Sequence, residues 1–289
     1  MKPLFVVAIA CAALAAFAPS VHAAPAKPNR IKISYVTPKV EAHQPIHERL
    51  VNERFLEQVQ HFLSPLRLPR TLLVQLQDCG EANAWYEEGA ITICYEYIDE
   101  IWKSVPATPP MGLARIDVLA GPLFDTVLHE TGHAIFELLK IPVFGREEDA
   151  ADQVAAFVQL QLGKEHARRL ITGTAYAYYR EAASDDANAK AEPRQLKLKR
   201  FSDVHGTPGQ RFYNSMCIAY GADQNLFADF VTTKRLPQDR AESCKDEYRQ
   251  AAFAFKRLVW PHIDRKLAKE VLKGNWLPPA TAFVSNRPK

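Results

Sequence analysis

Residues 128–154 read LHETGHAIFELLKIPVFGREEDAADQV, two histidines closely followed by a run of acids. On a helix, His129 and His133 stand four residues apart and project from one face, one turn above the other. Two imidazoles so placed suit zinc, and Glu130 beside them is positioned to polarise a water on the ion. The chemistry would be hydrolysis by an activated water. Two histidines, however, leave a zinc site one protein ligand short.

The missing ligand must arrive from another element. Glu137 continues the stripe after His133 but lies two turns from His129, about 12 Å along the axis, too far for one tetrahedral ion to hold both. The candidates are Glu147, Glu148, Asp149 and Asp152. Glu148 is selected because Asp152, four residues on, shares its face and can accept a hydrogen bond from the outer nitrogen of a ligating histidine. Glu147 and Asp149 are the rivals if Glu148 proves dispensable.

Positioning these groups requires two packed helices. Phe124, Val127, Leu128, Ile135, Leu138 and Leu139 give the first a buried side. Pro142 and Gly145 then end it and allow reversal. Ala150, Ala151, Ala155 and Ala156 keep the second helix thin. Gly132 costs the first about 1 kcal/mol relative to alanine, which makes sense if the partner backbone approaches there.

Upstream, IKISYV at 31–36, TLLVQLQDC at 71–79 and AITICYEYI at 90–98 read as strands. The stretch 47–66 reads as one helix, and the chain turns helical from about Pro122 onward. Strands first and helices later predict an α+β domain, a small N-terminal sheet followed by a mostly helical core. The charged stretch 184–200 reads as a mobile connection. His43 and His47, with Pro45 between them, read as surface histidines. Trp85, Tyr86, Tyr95 and Tyr97 read as cross-strand packing.

The 36 basic and 33 acidic side chains are well mixed, and the net charge of +3 creates no field that argues for a nucleic acid or an anionic membrane. Lys2, an uncharged apolar run from Leu4 to Phe17 and Val21-His22-Ala23 read as a cleaved secretory signal over 1–23. That run is too short for a stable membrane span, so the expected location is periplasmic or secreted. Residues 24–289 are then read as a single domain. Beyond the signal, Cys79, Cys94, Cys217 and Cys244 form an even set that suggests two bridges in an exported protein. Three connectivities exist; Cys79 with Cys94 and Cys217 with Cys244 is the simplest.

His129-Glu130-x-x-His133 followed by Glu148-x-x-x-Asp152 resembles the gluzincin class of zinc metallopeptidases, of the thermolysin and neprilysin type. More closely, the chain resembles a bacterial family of metallopeptidases of unknown function. The resemblance implies a zincin-like core, Zn2+ held by His129, His133 and Glu148, Asp152 as the supporting acid and Glu130 as general base. NAWYEEGAITIC, 83–94, is similar to the neprilysin-type edge strand, which implies substrate-backbone binding by Asn83 and Ala84. DVHGTPGQRF, 203–212, resembles the element that implies His205 as oxyanion donor, Asp203 as its orienting acid and Arg211 as a grip on a substrate carbonyl. The expected function is a zinc metallopeptidase acting on a peptide or protein. The competing reading is a catalytically silent zinc-binding or scaffold protein on the same frame.

Overall fold

The computed structural model describes residues 30–191 and 202–279. The architecture is α+β, with a four-stranded sheet near the N-terminus and a helical body after it. Strands β1 (Ile31–Tyr35), β2 (Leu72–Gln77), β3 (Ala84–Glu87) and β4 (Ala90–Cys94) lie in the order β1-β2-β4-β3. The first three positions in that order are mutually parallel, and β3 runs antiparallel along the edge. In β2, Leu72, Val74 and Leu76 are fully buried and alternate with half-buried neighbours, the period expected of a pleated strand. Glu88 and Gly89, with φ of 48° and 88°, form the two-residue turn that sets Glu87 opposite Ala90. A tight turn with positive φ at both central positions matches the twist of the strands it joins.

Two expected elements are differently built. The helix expected over 47–66 is two helices, α1 (Gln44–Asn52) and α2 (Phe55–Leu63), because Arg54 takes a left-handed conformation with φ 54° between them. The third strand stops at Cys94, and Tyr95 begins α3 (Tyr95–Lys103). Tyr95 and Tyr97 are therefore helical and not cross-strand pairs. Tyr97 shares a 2.6 Å hydrogen bond with the Thr126 hydroxyl. His43 is buried rather than on the surface, its Nδ1 2.7 Å from an Asp78 carboxylate oxygen, and His47 Nδ1 lies 2.8 Å from the Tyr95 hydroxyl.

The helical body is built around α4 (Arg115–Leu139), which starts earlier than Pro122 and carries that proline inside it. Its flank of Leu123, Val127, Leu128, Ile135 and Leu138 enters the same core as the sheet and α2. Helix α6 (Lys164–Ala191) crosses α4 where two glycines meet. A Cβ on Gly173 would lie 2.2 Å from the Asp117 carbonyl oxygen, and one on Gly121 2.7 Å from the Thr174 nitrogen. Since neither neighbour is a flexible side-chain tip, Gly173→Ala is expected to lower stability by about 1–3 kcal/mol, read from chemical unfolding. An unchanged midpoint would mean that the crossing opens freely. Helix α6 also takes in the first eight residues of the stretch expected to be a connection, 184–191, while 192–200 fall outside the described residues.

A second core joins α6 to α7 (Pro208–Ala222), the short α8 (Ala228–Thr232) and α9 (Gln238–Ala254) through Ile171, Met216, Phe227 and Phe230. The chain closes with a π turn at Phe255–Val259 and α10 (Arg265–Val271). Both cysteine pairs adopt the short connectivity. Cys79–Cys94 ties the exit of β2 to the end of β4, and Cys217–Cys244 stitches α7 to α9. In the chain-entropy account, each loop of this size contributes about 3 kcal/mol by restricting the unfolded chain.

Candidate metal centre and cleft

Helix α5 (Glu147–Gln159) meets α4 at Gly132, where an added Cβ would lie 3.1 Å from the Ala151 Cα. That close approach is the reason for a glycine in the middle of α4, and it brings the acids of α5 onto the histidines. His129 and Glu130 are 4 % and 6 % exposed, held in the junction between sheet and helices.

One oxygen of Glu148 is the meeting point. Its Oε2 lies 3.0 Å from His129 Nε2 and 3.2 Å from His133 Nε2, and the two Nε2 atoms are 3.2 Å apart. These three atoms form a group that could hold a metal ion. The spacing is informative. Tetrahedral zinc with ligands at 2.0–2.1 Å requires ligand atoms separated by about 3.3 Å. Imidazole, imidazole and carboxylate are also a donor set that zinc accepts in sites keeping one position open for solvent.

The outer nitrogens are engaged as well. His129 Nδ1 is 2.8 Å from Asp152 Oδ1, and His133 Nδ1 is 2.8 Å from Glu147 Oε1. Carboxylates in these places fix ring orientation and tautomer so that both Nε2 atoms face the common point. Asp152 is itself gripped by Arg211, whose Nε and Nη2 donate to its two oxygens at 2.8 and 2.6 Å. The guanidinium also lies 4.4 Å from the Tyr178 ring centroid. Arg211 was expected to reach a substrate carbonyl; in this structure its fork is occupied by Asp152, and it also borders the cleft. Glu137, set aside as a ligand, binds Arg70 and Tyr86 instead.

His205 comes in from the segment before α7. Its Nε2 is 2.8 Å from Glu148 Oε2, and its ring stacks on His129 with centroids 5.9 Å apart. Asp203 Oδ1 accepts from the His205 backbone N–H at 2.9 Å and lies 3.2 Å from its Nδ1. Asn83 and Ala84 border the same cleft at the start of the edge strand, where the Asn83 side-chain carbonyl accepts the Ala84 N–H at 2.9 Å. The backbone of Tyr86, on the same strand, acts on the Glu130 carboxyl and lowers its pKa slightly against the effect of burial.

The electrostatics follow from this crowding. Burial disfavours charge on His129, but the Asp152 and Glu148 carboxylates outweigh it and raise the pKa to about 10. His133 is also raised, burial again being outweighed by Glu148 and Glu147. Glu148 resists the upward pull of burial and falls far below the usual carboxylate range because three imidazoles hydrogen-bond it. Burial lifts Glu130 above the ordinary glutamate value, against the lowering effect of the two histidines. Metal ligation requires neutral imidazoles, so zinc uptake near pH 7.5 must displace a proton from His129, and affinity must fall as pH falls. Calorimetry in buffers of different ionisation enthalpy is expected to show at least one proton released per zinc. No release would contradict the raised histidines.

A buried network behind Arg211 had not been anticipated. The Tyr178 hydroxyl donates to one oxygen of Asp125 at 2.8 Å and Gln159 Nε2 to the other at 2.6 Å. Burial and the nearby Asp152 charge push the Asp125 carboxyl up to about 6. Asp125 stands four residues before His129, so the i, i+4 stripe of the metal helix already pointed to it. Nothing local pointed to Gln159 or Tyr178.

Among described residues, no helix is long and apolar enough to cross a membrane. A family model described as "Putative metallopeptidase" matches residues 35–259. No curated protein matches the chain, and no solved structure does.

Proposed function

The chain belongs to the DUF4344 family, described as putative metallopeptidases, and from that premise we propose that it is a zinc-dependent peptidase of gluzincin type. The observation that carries the proposal is the convergence of His129 Nε2, His133 Nε2 and Glu148 Oε2 at zinc-like spacing, beside a buried glutamate and an edge strand. His129, His133 and Glu148 would hold the ion. Zinc bound there would supply Lewis-acid polarisation of the scissile carbonyl and a water acidified to a pKa of about 7.

The remaining work falls to side chains. Glu130, raised by burial but kept ionisable by the histidines and the Tyr86 backbone, takes a proton from the attacking water. It then returns that proton to the departing amine. His205 Nε2, which lies beside Glu148 and is contacted by Asp203, would be the donor to the oxyanion. An extended peptide lies along β3, with Asn83 and Ala84 binding its backbone.

Two disulfides fit an oxidising compartment, and with the expected leader they support a periplasmic or secreted enzyme whose single domain spans 24–289. The test is direct. Purified protein loaded with zinc should cleave an unfolded protein, stop when a chelator is added and resume when zinc is restored. Stoichiometric zinc without cleavage of any peptide would favour the silent scaffold reading.

A further inference from the structure

Beyond His129 and Glu130 the cleft deepens into a pocket whose wall includes Tyr97, Asp125, Thr126, Thr174, Tyr178 and Glu181. We propose that this pocket receives a basic side chain, lysine or arginine, from a residue next to the bond that is cut. The proposal rests on the peptidase reading above and adds the substrate class to it.

Three features of the wall point this way. First, none of its residues is leucine, isoleucine, valine or phenylalanine, and the apolar share comes from alanines, Pro122 and tyrosine rings. An aliphatic substrate side chain would strip water from hydroxyls and carboxylates while offering them no hydrogen bond. Second, Asp125 places a buried carboxyl group in the wall. Tyr178 and Gln159 each use one lone pair on a separate oxygen, so both oxygens retain capacity for another donor. Third, Arg211, the arginine of this wall, is held by both oxygens of Asp152. It therefore does not turn the pocket towards acidic side chains.

A lysine or arginine fits these terms along its whole length. Its methylene stem can lie against the Tyr97 ring, whose face also favours a cation, while Tyr178 is already paired with Arg211. Its head can then approach Asp125, with Glu181 exposed at the mouth adding charge of the same sign. An acidic side chain would meet repulsion at both ends.

The experiment uses the zinc-loaded full chain and a series of quenched peptides that differ only in one residue flanking the cut, placed on either side in turn. That residue is arginine, lysine, norleucine, glutamine or glutamate. Expected is a kcat/KM for arginine and lysine at least tenfold above norleucine on one side, with glutamate the poorest. Glu181→Lys, a change on an exposed helix surface, should reduce the arginine-to-norleucine ratio at least tenfold and improve the glutamate peptide. Norleucine equal to or better than arginine, or a ratio unmoved by Glu181→Lys, overturns the proposal. Binding separates it from the broader reading. If no peptide is cut, but Nα-acetyl-arginine amide binds the zinc-loaded Glu130→Gln protein more tightly than Nα-acetyl-norleucine amide by calorimetry, the peptidase reading fails and the basic pocket stands. Equal binding of the two amides sinks the pocket itself.

Discussion

Glu130→Gln is expected to keep one zinc per chain while turnover falls by about 10²–10⁴-fold, the usual share of a general acid–base group. The two outcomes separate because Glu130 does not contribute to the ligand cluster of His129, His133 and Glu148. Glutamine matches glutamate in shape, so the packing of α4 against the edge strand survives. What disappears is the capacity to take up and return a proton. Elemental analysis alongside cleavage of an unfolded protein reads both quantities on one preparation. A fully active Glu130→Gln protein would remove the mechanism.

The second large effect is on the ion. Glu148→Ala is expected to weaken zinc binding more than 100-fold, measured by competition with a chromogenic chelator. Removing a carboxylate that only orients a ligand costs about 10–100-fold, and Glu148 is proposed to touch the ion itself. Asp152→Asn provides that lesser scale on the same protein, because it loses only the contact to the outer nitrogen of His129 and part of the Arg211 grip. Glu147→Ala should behave like Asp152→Asn and not like Glu148→Ala. Its carboxylate lies on Nδ1 of His133, the side of the ring facing away from the common point. Undiminished affinity in Glu148→Ala would transfer the third ligand to another acid of α5.

Much of this centre is local and so could be read in advance. Helical periodicity alone puts His129, His133 and Asp125 in one stripe, and the same arithmetic pairs Glu148 with Asp152. Gly132 in the middle of a helix signalled a close approach, and Ala151 makes it. Local reasoning failed where a backbone choice overrode composition. Arg54 breaks what reads as one helix by adopting a left-handed conformation with nothing in its side chain to announce it. Tyr95 opens a helix inside a β-rich run, and its hydroxyl donates to the Val36 carbonyl and lies 2.8 Å from His47 Nδ1. His43 has no acid at helical spacing, since its partner Asp78 arrives from the end of β2, 35 residues away.

By itself, then, the order of residues determined that His129 and His133 share one helix face with Glu130 beside them, that Glu148 and Asp152 share another, and that strands precede helices. These follow from repeats of two and 3.6 residues and from ligand chemistry, which act within a turn or two of chain. Only the tertiary structure decided that Arg211 grips Asp152, that His205 leans on Glu148, and that Tyr178 and Gln159 hold Asp125 at the pocket wall. Those partners lie tens of residues apart. Their pairing is set by how α4, α5, α6 and α7 pack, driven by burial of apolar faces that carry no record of which polar groups they will bring together.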